Sequence, residues 1–235
     1  MRMPPQLAER ARAIVYGGSW TPPVARPAST LVLLRDTHDG IEVALLQRAS
    51  TLAFAKDMYV FPGGALDDSD ADFGDPWLVA AIRETFEESG VLLAVPAAPG
   101  DCWRLRDLPF GEALAELEVG PDLSALHFCA HWVTPEVESR RFDTRFYAAA
   151  LPPGQDLADF TTEHQNIGWY RPSAAADLPM LPPTAAVLAE LAQFDTVAQA
   201  LAVARDPIPL MPHPVATGDG EIAWVLVDAR TGEAM

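Results

Sequence analysis

Short apolar runs alternate with punctuated polar stretches along the chain, and the period of each run predicts its element. "TLVLLR" from Thr30 and "IEVALLQR" from Ile41 are rich in β-formers, and the Asp39-Gly40 pair in the "DTHDG" between them predicts a hairpin. "MYVFPGG" predicts a short strand ending in Pro62, Gly63 and Gly64. A helix is predicted after Asp75, a good N-cap, with Pro76 at its first position and Gly90 just past its end. Leu78, Ile82 and Phe86 recur there at helical spacing and can face a core. "VLLAV" from Val91, five apolar residues bounded by Gly and Pro, is too short for a helix and predicts a buried strand.

Residues 5 to 15 predict a short N-terminal helix, followed by the loop "GGSWTPPVARPAS". Downstream, "GEALAELE" predicts a helix, "LHFCAHWV" and "RFDTRFYAAA" two strands joined by "TPEVES", and "NIGWY" another short strand. "PTAAVLAELAQFDTVAQALAVA" predicts one amphipathic helix of about five turns. The tail from Asp206 is Pro-rich and then strand-like in "EIAWVLVDA". This order predicts a mixed α/β or α+β sandwich. The whole of 1–235 is read as one domain, with an N-terminal extension (1–27) and a C-terminal helix plus tail (183–235); 49% hydrophobic residues suffice for its core.

Bulk properties exclude several classes. No run of roughly eighteen apolar residues occurs, and "MRMPPQLAERARAIV" has charges where a signal peptide needs its apolar centre. The expected location is cytoplasmic, without a membrane partner. Cys102 and Cys129 form no metal-type pair or disulfide framework and are expected as free buried thiols. Sixteen basic against thirty-three acidic residues, a formal net charge of −17, argue against a nucleic-acid partner. An anionic substrate therefore needs local help. Fifteen of the sixteen basic residues are arginine, the exception being Lys56.

One segment concentrates the acidic excess. In "RETFEESG" a helix places Glu84, Glu87 and Glu88 at i, i+3 and i+4, so three like charges share one face within about one turn. Either open water or a bound cation must compensate. A strand ending in "FPGG", a loop, and this helix together offer carboxylates and a backbone carbonyl, the ligand set that Mg²⁺ prefers. Such a cation also bridges an anionic site to an anionic substrate.

At these residues the sequence resembles the Nudix hydrolase family, whose box runs from a glycine through an acidic residue to Arg-Glu-U-x-Glu-Glu-x-Gly-U, with U aliphatic. Gly64, Arg83, Glu84, Glu87, Glu88, Gly90 and Val91 match, while Thr85 departs from the first U. Gly64 and Gly90 stand 26 positions apart, five more than in the box. Counting from the front puts Asp70 at the box's acidic position, and counting from the back gives Asp75; Asp75 already serves as N-cap, which favours Asp70. Either way Asp replaces Glu, in a position whose family role is to orient the arginine.

The resemblance implies a Nudix-type α/β/α sandwich with a mixed central sheet. It implies Mg²⁺ or Mn²⁺ held by Glu84, Glu87, Glu88 and Gly64, with Glu84 also activating water and Arg83 holding the loop. It further implies cleavage of a small nucleoside-diphosphate-linked substrate at its pyrophosphate, and admits a homodimer. Residues 28 to 194 resemble the branch, with an insertion in the box, that contains a peroxisomal coenzyme A diphosphatase. Leu45, Leu46, Arg48 and "FPGG" match part of a coenzyme A signature, whereas Ala53 and Asp57 stand where its second Arg and Gly would be. Coenzyme A or acyl-coenzyme A is the first substrate expectation, a nucleotide sugar or dinucleotide the second, and a non-hydrolytic Nudix-fold sensor the reading from another class. Glu163 is a candidate for an additional acid outside the box. Arg48, Arg141 and Arg145 are candidate substrate contacts; on a strand Arg141, Asp143 and Arg145 share a face. His127, His131 and His164 have no spacing that forces a metal site.

Overall fold

In the computed structural model, which describes residues 5–48, 57–158, 164–218 and 220–235, most element boundaries fall at the turn residues just named. In chain order the elements are α1 (Pro5–Tyr16), β1 (Arg26–Thr37), β2 (Gly40–Arg48), β3 (Tyr59–Val60), β4 (Gly63–Ala65), α2 (Pro76–Ser89), β5 (Ala94–Val95), α3 (Phe110–Leu117), β6 (Gly120–Pro121), β7 (His127–Val133), β8 (Phe142–Ala150), β9 (His164–Tyr170), α4 (Pro182–Leu191), α5 (Val197–Ala202), β10 (Leu210–Ala216) and β11 (Ile222–Asp228). Two compact units result: residues 28–129 with 145–205, and residues 1–27 with 130–144 and 206–235. β1, β7 and β8 contribute residues to both.

The first unit carries the acidic helix. β1 and β2 form the expected antiparallel hairpin, with Thr37 opposite Gly40. Gly40 has φ +110°, a conformation a side chain resists, and its carbonyl accepts the Thr37 hydroxyl at 2.7 Å. The chain from β3 to β4 then changes partners: β3 pairs with β2 at Leu46 and Gln47, and β4 pairs with β1 at Ala28–Thr30. β9 lies antiparallel along β2, and β8 flanks β1. Leu31 and Leu33 pack in a core with Val79, Ala81, Ile82 and Phe86 of α2 and with Phe110 and Leu114 of α3. The alternate residues Val32, Leu34, Val43 and Leu45 are equally buried, so these strands are covered on both faces and read as continuous apolar runs.

α2 begins and ends as its sequence dictates. The Asp75 carboxylate accepts the Trp77 N–H at 2.9 Å, and Gly90, at φ +77°, returns its N–H to the Phe86 carbonyl at 2.8 Å.

Two expectations are corrected. Val91–Leu93 are buried but lie outside any strand; β5 begins only at Ala94. The Gln155 side chain takes the place of a neighbouring strand, accepting the Leu92 N–H at 2.8 Å and donating to its carbonyl at 2.9 Å. The long C-terminal helix is two helices, α4 and α5. Thr196 starts α5 with a reciprocal capping box to Gln199, which competes with continuation through "QFDT".

In the second unit β10 and β11 pair antiparallel along their full length, and β10 meets β7 in parallel at Leu210 and Trp132, which makes the strand pairing mixed. Pro212 and Pro214 alternate in β10, so both missing N–H groups fall on the same edge. α1 adds Arg10, whose guanidinium stacks over the Trp20 ring at 4.3 Å and donates to the Val137 carbonyl. Among the described residues no helix is long and apolar enough to cross a membrane.

Phe86 is fully buried between α2 and α3, its ring 6.5 Å from that of Phe110. Phe86→Ala is expected to cost about 3–5 kcal/mol, read as a lowered urea midpoint.

Candidate active site

A buried guanidinium organises the site. Arg83 projects from the middle of α2 with a side chain only 10% exposed, so all of its donors need partners within the protein. Nε and Nη2 grip the two Asp70 oxygens at 2.8 and 3.1 Å; Nη2 also donates to the Ala65 carbonyl at 3.1 Å. Nη1 reaches Glu84 Oε1 at 2.8 Å and Glu87 Oε2 at 3.3 Å. Burial works against the charge, but the bonds to Asp70 and Glu84 outweigh it and raise the pKa above the ordinary arginine range.

Asp70, and not Asp75, therefore faces the box arginine. The residues before α2 form a 3-10 turn, Asp68–Phe73, that buries the Asp70 side chain to 1% exposure. Asp67 caps this turn: its carboxylate accepts the Ser69 N–H while Asp70 Oδ2 accepts the Asp67 N–H at 2.8 Å. The Asp67–Asp70 pair went unread in the sequence, although an acidic residue followed three positions later by another is a capping-box signature.

Two glycines make the other wall. A Cβ on Gly64 would lie 2.5 Å from the carboxylate atoms of Glu84, so the missing side chain is the space that Glu84 fills. A Cβ on Gly63 would lie 2.5 Å from the Ser29 carbonyl oxygen, and the Gly63 N–H donates to Glu88 Oε2 at 2.9 Å. "FPGG" is thus a backbone strip pressed against β1 on one side and the carboxylates on the other. Thr85 is absorbed within the helix, its hydroxyl donating to the Ala81 carbonyl at 2.7 Å.

Burial pushes the Glu84 carboxyl up to about 7, with Arg83 opposing and Glu88 adding to the rise. Glu87 is raised in the same way, first by burial. Among the described residues no three His, Cys, Asp or Glu side chains converge ready to hold a metal ion. Instead Glu84 and Glu87 turn toward Arg83, and Glu88 toward Gly63. The donor set still fits a hard cation: Glu84, Glu87 and Glu88 offer oxygen on one helix face, and the missing side chain of Gly64 lets its backbone approach the Glu84 carboxylate.

Arg145 stacks on Trp77, in the first turn of α2, at 3.9 Å, and hydrogen-bonds Tyr147. Arg141 belongs to the second unit, where it donates to the carbonyls of Thr134 and Pro23. Arg48 ends β2, its N–H bonded to the Met58 carbonyl at 3.0 Å. Glu163 and Ala53 lie outside the described residues. His131 bonds Asp143, His127 is exposed, and both cysteines are free and buried.

The sheet with α2 packed against it, and the Gly63–Gly64 turn facing the glutamates of that helix, has the Nudix fold. Residues 77–180 match the family described as the NUDT19 Nudix domain. It is 28% identical to the human acyl-coenzyme A diphosphatase NUDT19, over 75% of this chain and 65% of that protein. It is 25% identical to the Xenopus laevis protein of the same name, over 66% of this chain and 59% of that one. A crystal structure of a NUDIX hydrolase from Alicyclobacillus acidocaldarius matches with a TM-score of 0.67 at 29% identity, covering 77% of this chain and 96% of that chain. The chain spans 53–65% of the length of the curated relatives it matches.

Asp70→Ala strands a buried guanidinium and is expected to cost about 3–5 kcal/mol, whereas Asp75→Ala removes only a helix cap at about 1 kcal/mol; urea denaturation separates the two. A folded pKa above the unfolded value means that Glu84 favours folding most below the ordinary carboxyl range, a contribution lost as pH rises through about 7. In chelator, Glu84→Gln is therefore expected to gain on the wild type in melting temperature between about pH 4.5 and pH 8. A constant difference across that range would refute the assignment.

Proposed function

We propose that the chain is a metal-dependent pyrophosphohydrolase acting on a nucleoside diphosphate linked to a second group, with coenzyme A or acyl-coenzyme A the leading substrate. The observation that carries this is the buried Arg83 holding Asp70, Glu84 and Glu87 against the Gly63–Gly64 strip, with Glu88 bonded to the same strip. The coenzyme A part is supported by likeness to the vertebrate proteins named acyl-coenzyme A diphosphatase, and by Leu45, Leu46, Arg48 and "FPGG".

Mg²⁺ or Mn²⁺, held by Glu84, Glu87, Glu88 and the Gly64 carbonyl, would neutralise charge on the phosphates and acidify a bound water. Phosphoryl transfer asks the protein mainly for positioning and electrostatics. Arg83 supplies the first, since it fixes the loop and the helix in one bonded unit and takes no part in proton transfer. Glu84, whose carboxylate lies against the Gly64 backbone beside the other two glutamates, is suited to accept a proton from the attacking water. Arg145, held on Trp77, is favoured over Arg141 for a phosphate contact, because the donors of Arg141 are already taken by carbonyls. Glu163 is retained as the additional acid, and Arg48 as a substrate contact.

The test is a panel of coenzyme A derivatives, ADP-ribose, NADH and dinucleoside polyphosphates with Mg²⁺ at mildly alkaline pH. Coenzyme A species are expected to give 3′,5′-ADP and a phosphopantetheine product, with nearly all rate lost in Glu87→Gln and Glu88→Gln while the fold is kept. Turnover of none of them, or full activity in both variants, would sink the reading.

A further inference from the structure

On the face of β2 turned away from the α2 core, one row of side chains differs in character from its neighbours. Ala44 belongs to that core, so Val43, Leu45 and Gln47 point the other way. Gln47 stands between Tyr59 of β3 and Asn166 of β9 as cross-strand partners, and Tyr170 is the partner of Val43 on the same face. The Tyr59 and Tyr170 rings meet edge to face at 5.6 Å. A Cβ on Gly168, between Asn166 and Tyr170, would touch the Tyr170 ring at 3.4 Å, so the ring leans over the glycine.

The polar groups here bond one another, the Tyr59 and Tyr170 hydroxyls included. Tyr59 Oη donates to Gln47 Oε1 at 3.4 Å and Asn166 Nδ2 to Tyr170 Oη at 3.3 Å, both near the limit of a hydrogen bond. Gln47, Tyr59 and Tyr170 are half-buried and Asn166 is exposed. Two rings that lose little entropy on binding and two amides with spare donor and acceptor capacity suit a flat heteroaromatic ligand. The segment from Tyr59 runs through β3 and β4 to Gly64, five residues on, which limits their separation to at most about 18 Å.

We propose that Gln47, Tyr59, Asn166 and Tyr170 form a nucleobase platform that reads adenine. An amide offers one donor and one acceptor. The N6/N7 edge of adenine offers the complement, whereas the O6/N7 edge of guanine offers two acceptors. The tyrosines supply a stacking surface and the amides the discrimination. The inference rests on the nucleotide-cleaving reading above for the substrate's class, and names which nucleotide half is bound and by what.

The test is equilibrium binding of 5′-AMP, 5′-GMP and 5′-UMP by calorimetry, in chelator, to the wild type and to the non-hydrolysing Glu87→Gln protein. AMP is expected to bind at least about tenfold more tightly than GMP. Tyr170→Ala is expected to weaken AMP at least about fivefold, with Tyr170→Phe retaining most of the affinity, and Asn166→Ala and Gln47→Ala to reduce the AMP-over-GMP ratio. Circular dichroism checks that each variant is folded. Absence of AMP binding, equal AMP and GMP affinities, or wild-type behaviour in Tyr170→Ala, Asn166→Ala and Gln47→Ala would overturn the platform. Because turnover is not measured, base discrimination by a protein that cleaves nothing would leave the platform standing and the hydrolase reading fallen. Turnover without base preference would do the reverse.

Discussion

A guanidinium that cannot lose its proton, placed where water barely reaches, is the constraint on which the rest of the site depends. Arg83 must be surrounded by acceptors, and no single element supplies enough of them. Its own helix gives Glu84 and Glu87, the turn before α2 gives Asp70, and the end of β4 gives the Ala65 carbonyl. Each bond ties a different segment to the same atom group. The loop from Gly63 to Asp75 thus has its course dictated by the charge it must serve.

That constraint explains the departures in the front of the box. Asp is one methylene shorter than Glu, so an Asp facing Arg83 needs its backbone closer. A 3-10 turn carries it there, and Asp67 and Asp70 bond each other's backbone at its start. Asp70 is therefore oriented from both ends, by the Asp67 N–H and by Arg83, which suits a buried pair that is favourable only with good geometry.

The helix end of the box was legible because its determinants are local. Asp75, Pro76 and Gly90 act within a turn of themselves, and the glutamate spacing fixes a shared face. The hairpin at Asp39-Gly40 was legible for the same reason. What escaped depends on residues far apart in sequence. Nothing near Val91 announces that Gln155 will satisfy Leu92, which turned an apparent strand into a bonded loop. The break between α4 and α5 was available in Thr196 and Gln199, but the apolar spacing on both sides masked it. β10 lies in the Pro-rich part of the tail, where Pro212 and Pro214 leave both missing N–H groups on one edge.

A contrast in bond length separates the two halves of the first unit's surface. Around Arg83 the contacts are charged and mostly short, at 2.8 to 3.3 Å, while between the tyrosines and amides they are neutral and stretched to 3.3 and 3.4 Å. Short charged bonds in a dry site resist rearrangement, because breaking one leaves a buried ion without a partner. Long neutral bonds among half-buried and exposed groups exchange for a ligand at less cost. A fold that must hold carboxylates in register, yet admit a base and release it, is expected to divide its hydrogen bonds in this way. The chain from Tyr59 to Gly64 joins the adaptable half to the rigid one within a few residues.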